Sequence, residues 1–166
     1  MGNELATAAE VMYGNPGGDA ADLSAIDSTL ESSGFGSITY QARSDGKHDF
    51  AKEIDRSRSA IAGAMHEMGF SQSSAQQIGG IVKEYWDNPR SKESAAKGFD
   101  AALGSLEKRW GDKFESNMAG AVELLGVLRR KDPSFGNFLA STGMQGDETL
   151  LRILGETARH RKATKK

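Results

Sequence analysis

The chain contains no cysteine, only three prolines, and no stretch near the roughly 18 apolar residues that a membrane-spanning helix requires. Without cysteine there are no disulfides and no thiolate metal sites, a composition that suits a reducing compartment. The opening residues Met1-Gly2-Asn3-Glu4-Leu5 have neither the basic nor the apolar region of a signal peptide. A cytoplasmic setting is therefore expected, with no membrane. Gly2 fails as a myristoylation site, because the motif needs Ser or Thr at position 6 and the chain has Ala6. With 37% hydrophobic and 27% charged residues, the 166-residue chain is polar yet able to bury a core, as one domain or as a small domain with arms.

The familiar catalytic patterns are missing as well. His66-Glu67 opens like the zinc-protease H-E-x-x-H, but Phe70 stands where the second histidine is needed. Gly46-Lys47 is no phosphate loop, since Gln41 and His48 occupy positions reserved for Gly and for Ser or Thr. There is no G-x-S-x-G elbow. Carboxylate pairs such as Glu93 with Asp100 or Glu115 with Glu123 suit a glycosidase on paper, but with 23 acids in the chain such pairs arise freely. No catalytic, cofactor or metal residue is assigned, and the chain is expected not to be an enzyme.

Charge is unevenly spread. Residues 1–46 carry seven acids and one base, a net of −6, whereas residues 87–166 carry fifteen bases and eleven acids, a net of +4. Five of those bases, Arg159, Arg161, Lys162, Lys165 and Lys166, crowd the last eight residues. An acidic head and a basic tail suggest interaction arms.

Periodicity reads as helix almost throughout. Residues 3–13 suit a short helix before the breaker Gly14-Asn15-Pro16-Gly17-Gly18. Leu23, Ile26 and Leu30 form a second weak pattern that stops at Ser32-Ser33-Gly34. With so few large apolar residues, residues 1–46 are expected to be a flexible acidic arm that orders only on a partner. From Asp49, read as an N-cap, Phe50, Ile54, Ile61, Met65 and Met68 share one helix face that ends at Gly69. Ala75, Ile78, Val82 and Tyr85 line the next helix, which Ser71 or Ser73 can cap and Asp87-Asn88-Pro89 breaks. Gly79-Gly80 inside it costs helix stability and implies close packing or a hinge. Ser91 opens a helix to Trp110, Asp132-Pro133 starts a short one holding Phe135, Phe138 and Leu139, and Asp147 begins the last, with Leu150, Leu151 and Leu154.

At the centre lies LGSLEKRWGDKFESNMAGAVELL, residues 103–125. Phe99, Leu103, Leu106 and Trp110 share one helix face; Phe114, Met118, Ala121, Leu125 and Leu128 share another. Gly111 between them suits a C-cap with positive φ, and Asp112 is a candidate N-cap. A tight helical hairpin around Trp110-Gly111 is expected. The fold class is therefore all-α: a small helical bundle over residues 47–158, an acidic arm before it and a basic tail, residues 159–166, after it.

This stretch resembles a pattern of tailed-bacteriophage capsid-assembly proteins of the scaffolding type, in which a helix ending Leu-x-x-x-Trp-Gly is followed by an aromatic, an Asn and an Ala. Leu106, Trp110, Gly111, Phe114, Asn117 and Ala119 supply those elements. The similarity continues through Phe138-Leu139, Thr142-Gly143-Met144 and the run from Leu150 to Gly155, and includes Ala8-Ala9-Glu10-Val11-Met12-Tyr13-Gly14 near the start. Such scaffolds are usually longer, with an extended middle this chain lacks, which leaves head-completion, internal-virion and decoration roles open. The resemblance implies a non-catalytic virion or capsid-assembly protein that docks on other virion subunits, acting in the host cytoplasm during assembly or within the virion. It implies that basic residues of the C-terminal helical element, here Arg152, Arg159, Arg161 and Lys162, engage coat subunits. Lys165 and Lys166 extend that run, while Trp110, Phe114 and Asn117 are candidate contacts, with core packing the simpler reading for the two aromatics. A homo-oligomer is expected, because Ile54, Ile61, Met65 and Met68 together with the second hairpin stripe offer more apolar face than a thin bundle covers. The alternative is a small helical regulator that binds nucleic acid through its basic tail.

Overall fold

The structure, a computed structural model, describes residues 19–164, and among these it contains helices and turns but no strand. In order they are α1 (Leu23–Leu30), a π-helical turn (Glu31–Phe35), α2 (Gly36–Ser44), α3 (His48–Glu67), α4 (Gln72–Asp87), α5 (Lys92–Trp110), a 3-10 turn (Gly111–Lys113), α6 (Phe114–Lys131), α7 (Pro133–Thr142), a second 3-10 turn (Met144–Gly146) and α8 (Glu148–Thr164). No helix among the described residues is long and apolar enough to cross a membrane. The chain divides into two compact units at Lys83 and Glu84, inside α4. The expected boundary at residue 46 and the single domain over residues 47–158 give way to this division.

In the first unit, α1, the π turn and α2 follow one helical path that packs along α3. Asp22 caps its start, accepting the Ala25 N–H at 2.8 Å, and that bond holds the Asp22 carboxyl below its ordinary pKa. Ile26, Leu30, Phe35, Ile38 and Ala42 are buried, as are Ile61, Met65 and Met68 of the α3 region and Ala75, Ile78 and Val82 of α4. The expectation of a weakly structured arm over residues 1–46 is thus corrected for residues 19–44. Their large apolar side chains are few, but Ile26, Leu30, Phe35 and Ile38 are buried against neighbouring helices, while Leu23 and Tyr40 stay exposed. Residues 1–18, including the short helix expected over 3–13, lie outside the described residues.

The closest approach in this unit is between two glycines. A Cβ on Gly34 would stand 2.8 Å from the carbonyl carbon of Gly79 and nearer still to its oxygen, while a Cβ on Gly79 would stand 2.9 Å from Ser33 Cβ. Close packing therefore explains Gly79, whereas a Cβ on Gly80 would meet nothing within 4 Å. Charge reinforces the contact of α1 and α2 with α3: Arg58 meets Asp27 at 3.0 Å and Asp55 at 2.7 Å, and Arg43 reaches Asp55 at 2.9 Å. Helix α3 begins at His48 without a side-chain cap, so Asp49 lies in its first turn and is not its N-cap.

The second unit is built on α6 and α8. Along the contact Asn117 lies beside Gly155 and Gly120 beside Ala158, so the two helices run in the same direction there. A Cβ on Gly120 would stand 2.6 Å from Ala158 Cβ, which shows how near the backbones come. Helix α7 is capped by the fully buried Asp132, whose carboxylate accepts the Phe135 N–H at 3.2 Å, with Pro133 in its first turn. Asp147 caps α8 through the Leu150 N–H at 2.9 Å. The hairpin corner forms at Trp110 and Gly111, which has φ 56°, but α6 packs mainly on α8 instead of α5, so its arms are not the tight pair expected. Asp112 falls within the 3-10 turn and does not cap α6.

Candidate partner-binding site

The corner brings three of the expected residues together. Trp110 ends α5 buried, and its ring centroid lies 6.3 Å from that of Phe114, tilted by 40°. Gly155 gives the indole its seat: a Cβ there would stand 2.7 Å from Trp110 Cη2 and 2.9 Å from the Asn117 carbonyl oxygen. Asn117 is only 2% exposed, and neither its amide nor Trp110 Nε1 has a hydrogen-bond partner among the described residues. As partner contacts, Trp110 and Asn117 are corrected to interior positions. The reason is α8, which closes over the corner that a two-helix hairpin would leave open. Phe114 is half-buried.

The basic residues separate into two groups. Arg152 and Arg109 flank Glu156, each with a nitrogen 3.6 Å from its carboxylate, and the Arg152 side chain is 19% exposed. Arg152 is thus held by an intramolecular pair and is not a free cation of the helix end. Beyond the buried Ala158, Arg159 and Lys162 are exposed and Arg161 is half-buried with an interaction of its own. Helix α8 continues to Thr164, so residues 159–164 are helical rather than a tail after the helix. Cations at a helix C-terminus meet the negative end of its dipole, which helps to explain why the helix persists through so charged a run. Lys165 and Lys166 lie outside the described residues.

A second surface escaped the sequence reading. A groove of roughly 600 Å³ runs along α5 and α6, floored by Phe99, Met118, Val122, Leu125 and Leu151. Val122 is 60% exposed and Phe99 38%. Arg90, Lys92 and Arg129 also line it, and among the described residues no carboxylate does. A smaller recess of about 190 Å³ shares Arg90, Ala95 and Phe99 with it and is also lined by Asp147 and Glu148. Arg90 is positioned by Glu84, 3.2 Å away, by the Tyr85 ring, 4.8 Å below its guanidinium, and by its backbone N–H, which donates to the Thr142 carbonyl at 2.9 Å. Arg129 bonds the amide oxygen of Gln145.

Tyr85 donates its hydroxyl to Asp147 at 2.9 Å. Burial pushes its pKa up to about 12, and the neighbouring Asp147 carboxylate adds to the effect. The groove had one sequence signal: Met118, Val122 and Leu125 lie four and three residues apart, beside the stripe of Ala121, Leu124 and Leu128 that α6 buries. No family model, curated protein or solved structure matches the chain.

Proposed function

We propose that the protein is a non-catalytic, helical assembly protein of a phage virion, working in the host cytoplasm by docking on acidic surfaces of other virion subunits. The observation that carries this reading is the end of α8, a helix anchored by Leu150, Leu151, Ile153 and Leu154 that continues past Ala158 with exposed Arg159 and Lys162. A preformed helix end offers its charges without first paying the entropy of ordering a tail. The resemblance around Trp110, Gly111, Phe114 and Asn117 supplies the virion context. Self-association belongs to the same reading, although Ile61, Met65 and Met68 are covered within the first unit and no longer argue for it.

The test is coexpression with the major capsid subunit encoded nearest to this gene, using the intact chain and a variant carrying Arg159→Gln and Lys162→Gln, two exposed cations. Loss of coassembly with unchanged helicity and melting supports the reading, since exposed terminal charges contribute little to folding. A salt-sensitive shift of nucleic acid by the intact chain, lost in the variant, would instead establish the regulator. Five phosphate contacts would give that shift a salt slope of roughly −4. Unchanged coassembly by the variant rejects the α8 end as the docking element.

A further inference from the structure

We propose that the groove along α5 and α6 binds one acidic amphipathic helix of a partner protein. This goes beyond the α8 reading and does not depend on what α8 binds. Shape argues for a helix. Two stripes of its lining follow helix axes, Ala95 and Phe99 on α5 and Met118, Val122 and Leu125 on α6, with Leu151 of α8 beside them. Side chains at i, i+3 or i+4, and i+7 of a docked helix match such a surface, and roughly 600 Å³ accommodates a few of them.

Charge selects the kind of helix. Arg90, Lys92 and Arg129 line the groove, and among the described residues no carboxylate does. Arg129 bonds a neutral amide, that of Gln145, and so keeps its full charge to offer. Glu84 answers part of the charge on Arg90, which is also fixed over Tyr85 and is therefore oriented in advance. An acidic flank on the docked helix would meet these cations while its apolar flank covers Val122 and Phe99. Asp147 and Glu148 line the adjoining recess, so the occupant's acids should sit toward Lys92 and Arg129, which line only the groove. Nucleic acid fits less well, because the apolar lining is aliphatic apart from Phe99, which offers a single ring for base stacking.

The test titrates the full chain with a fluorescein-labelled Leu/Glu amphipathic helical peptide, with its Leu/Lys counterpart, with an Ala/Glu peptide and with a single-stranded oligonucleotide. The Leu/Glu peptide should bind at least about tenfold more tightly than each of the others. Its affinity should fall as salt rises from about 0.05 to 0.5 M. Val122→Glu should abolish binding. Lys92→Glu should weaken it several-fold while leaving the fold intact, because Lys92 is the exposed first residue of α5, where an acid suits the helix dipole. Three results would overturn the proposal: equal or tighter binding of the Leu/Lys peptide or the oligonucleotide, no binding of the Leu/Glu peptide at about 0.1 mM, or no effect of either substitution. A dimer of the intact chain that Val122→Glu converts to monomer would also overturn it, by assigning the groove to a second copy.

Discussion

Gly34 and Gly79 cross with their backbones in contact: a methyl group on either would collide with the other's segment, at the Gly79 carbonyl in one case and at Ser33 in the other. Gly34→Ala and Gly79→Ala are each expected to destabilise the protein by about 2–3 kcal/mol, the range for forced overpacking. Gly80→Ala, one residue along the same helix and facing open space, should stabilise by about 0.5–1 kcal/mol through helix propensity. Urea unfolding of the three variants followed by helicity checks the contrast. Equal effects at Gly79 and Gly80 would refute the close crossing.

The burial of Tyr85, with the Asp147 carboxylate beside it, makes stability depend on alkali. The folded-state pKa of Tyr85 is raised from 10.0 to about 12, so its contribution is complete below pH 10 and disappears as pH rises through the interval to 12. Tyr85→Phe should remove that dependence. At neutral pH the same variant should cost about 1–3 kcal/mol, because one Asp147 oxygen loses its donor while the other keeps the Leu150 N–H. Thermal melts between pH 8 and 12 for both proteins give the comparison.

Asp132 is wholly buried and accepts the Phe135 N–H at the start of α7. Asp132→Ala is expected to cost about 1–2 kcal/mol, at the upper end for an N-cap, because the buried N–H is left without a partner. Asp132→Asn, which keeps the acceptor oxygen, should cost less than half as much. Chemical denaturation measures both.

Asn117 buries an amide that makes no hydrogen bond among the described residues. Replacing it with Leu, which is similar in volume and needs no partner, should raise stability by about 1 kcal/mol. A loss of more than that on Asn117→Leu would mean that the amide has a partner essential to the corner.

Where one helix face fits one neighbour, the sequence was a sufficient guide. Ala75, Ile78, Val82 and Tyr85 are all buried as their spacing requires, and Ser91, Asp132 and Asp147 begin helices as their side chains allow. Gly69, with φ 76°, ends the region of α3 as expected. What escaped depended on partners distant in sequence. Ser32-Ser33-Gly34 reads as a stop signal, yet the small residues there serve the approach to Gly79. At the corner, the stripe of α6 was expected to cover α5. Because α8 takes most of that stripe, Met118 and Val122 are left facing the groove, and Trp110 and Asn117 are enclosed. A periodic pattern identifies an apolar face but not which of two neighbouring helices will cover it.

The π turn over Glu31–Phe35 hides a simple pattern. Its Gly36 N–H reaches back five residues to Glu31 instead of four, so the turn holds one residue more than an α-helix would. At about 100° per residue, Leu30 and Ile38 would diverge by about 80° on an unbroken helix, and Ala42 by more. With one residue fewer between them, the buried apolar positions of α1 and α2, Ile26, Leu30, Ile38 and Ala42, would fall within about 60° of one another, a single regular stripe. The first helical path is thus equivalent to an ordinary amphipathic helix carrying a one-residue insertion that the π turn absorbs. Shortening the chain by one residue within the turn preserves the phase of both halves, whereas the same deletion one turn earlier or later throws half of the stripe into solvent.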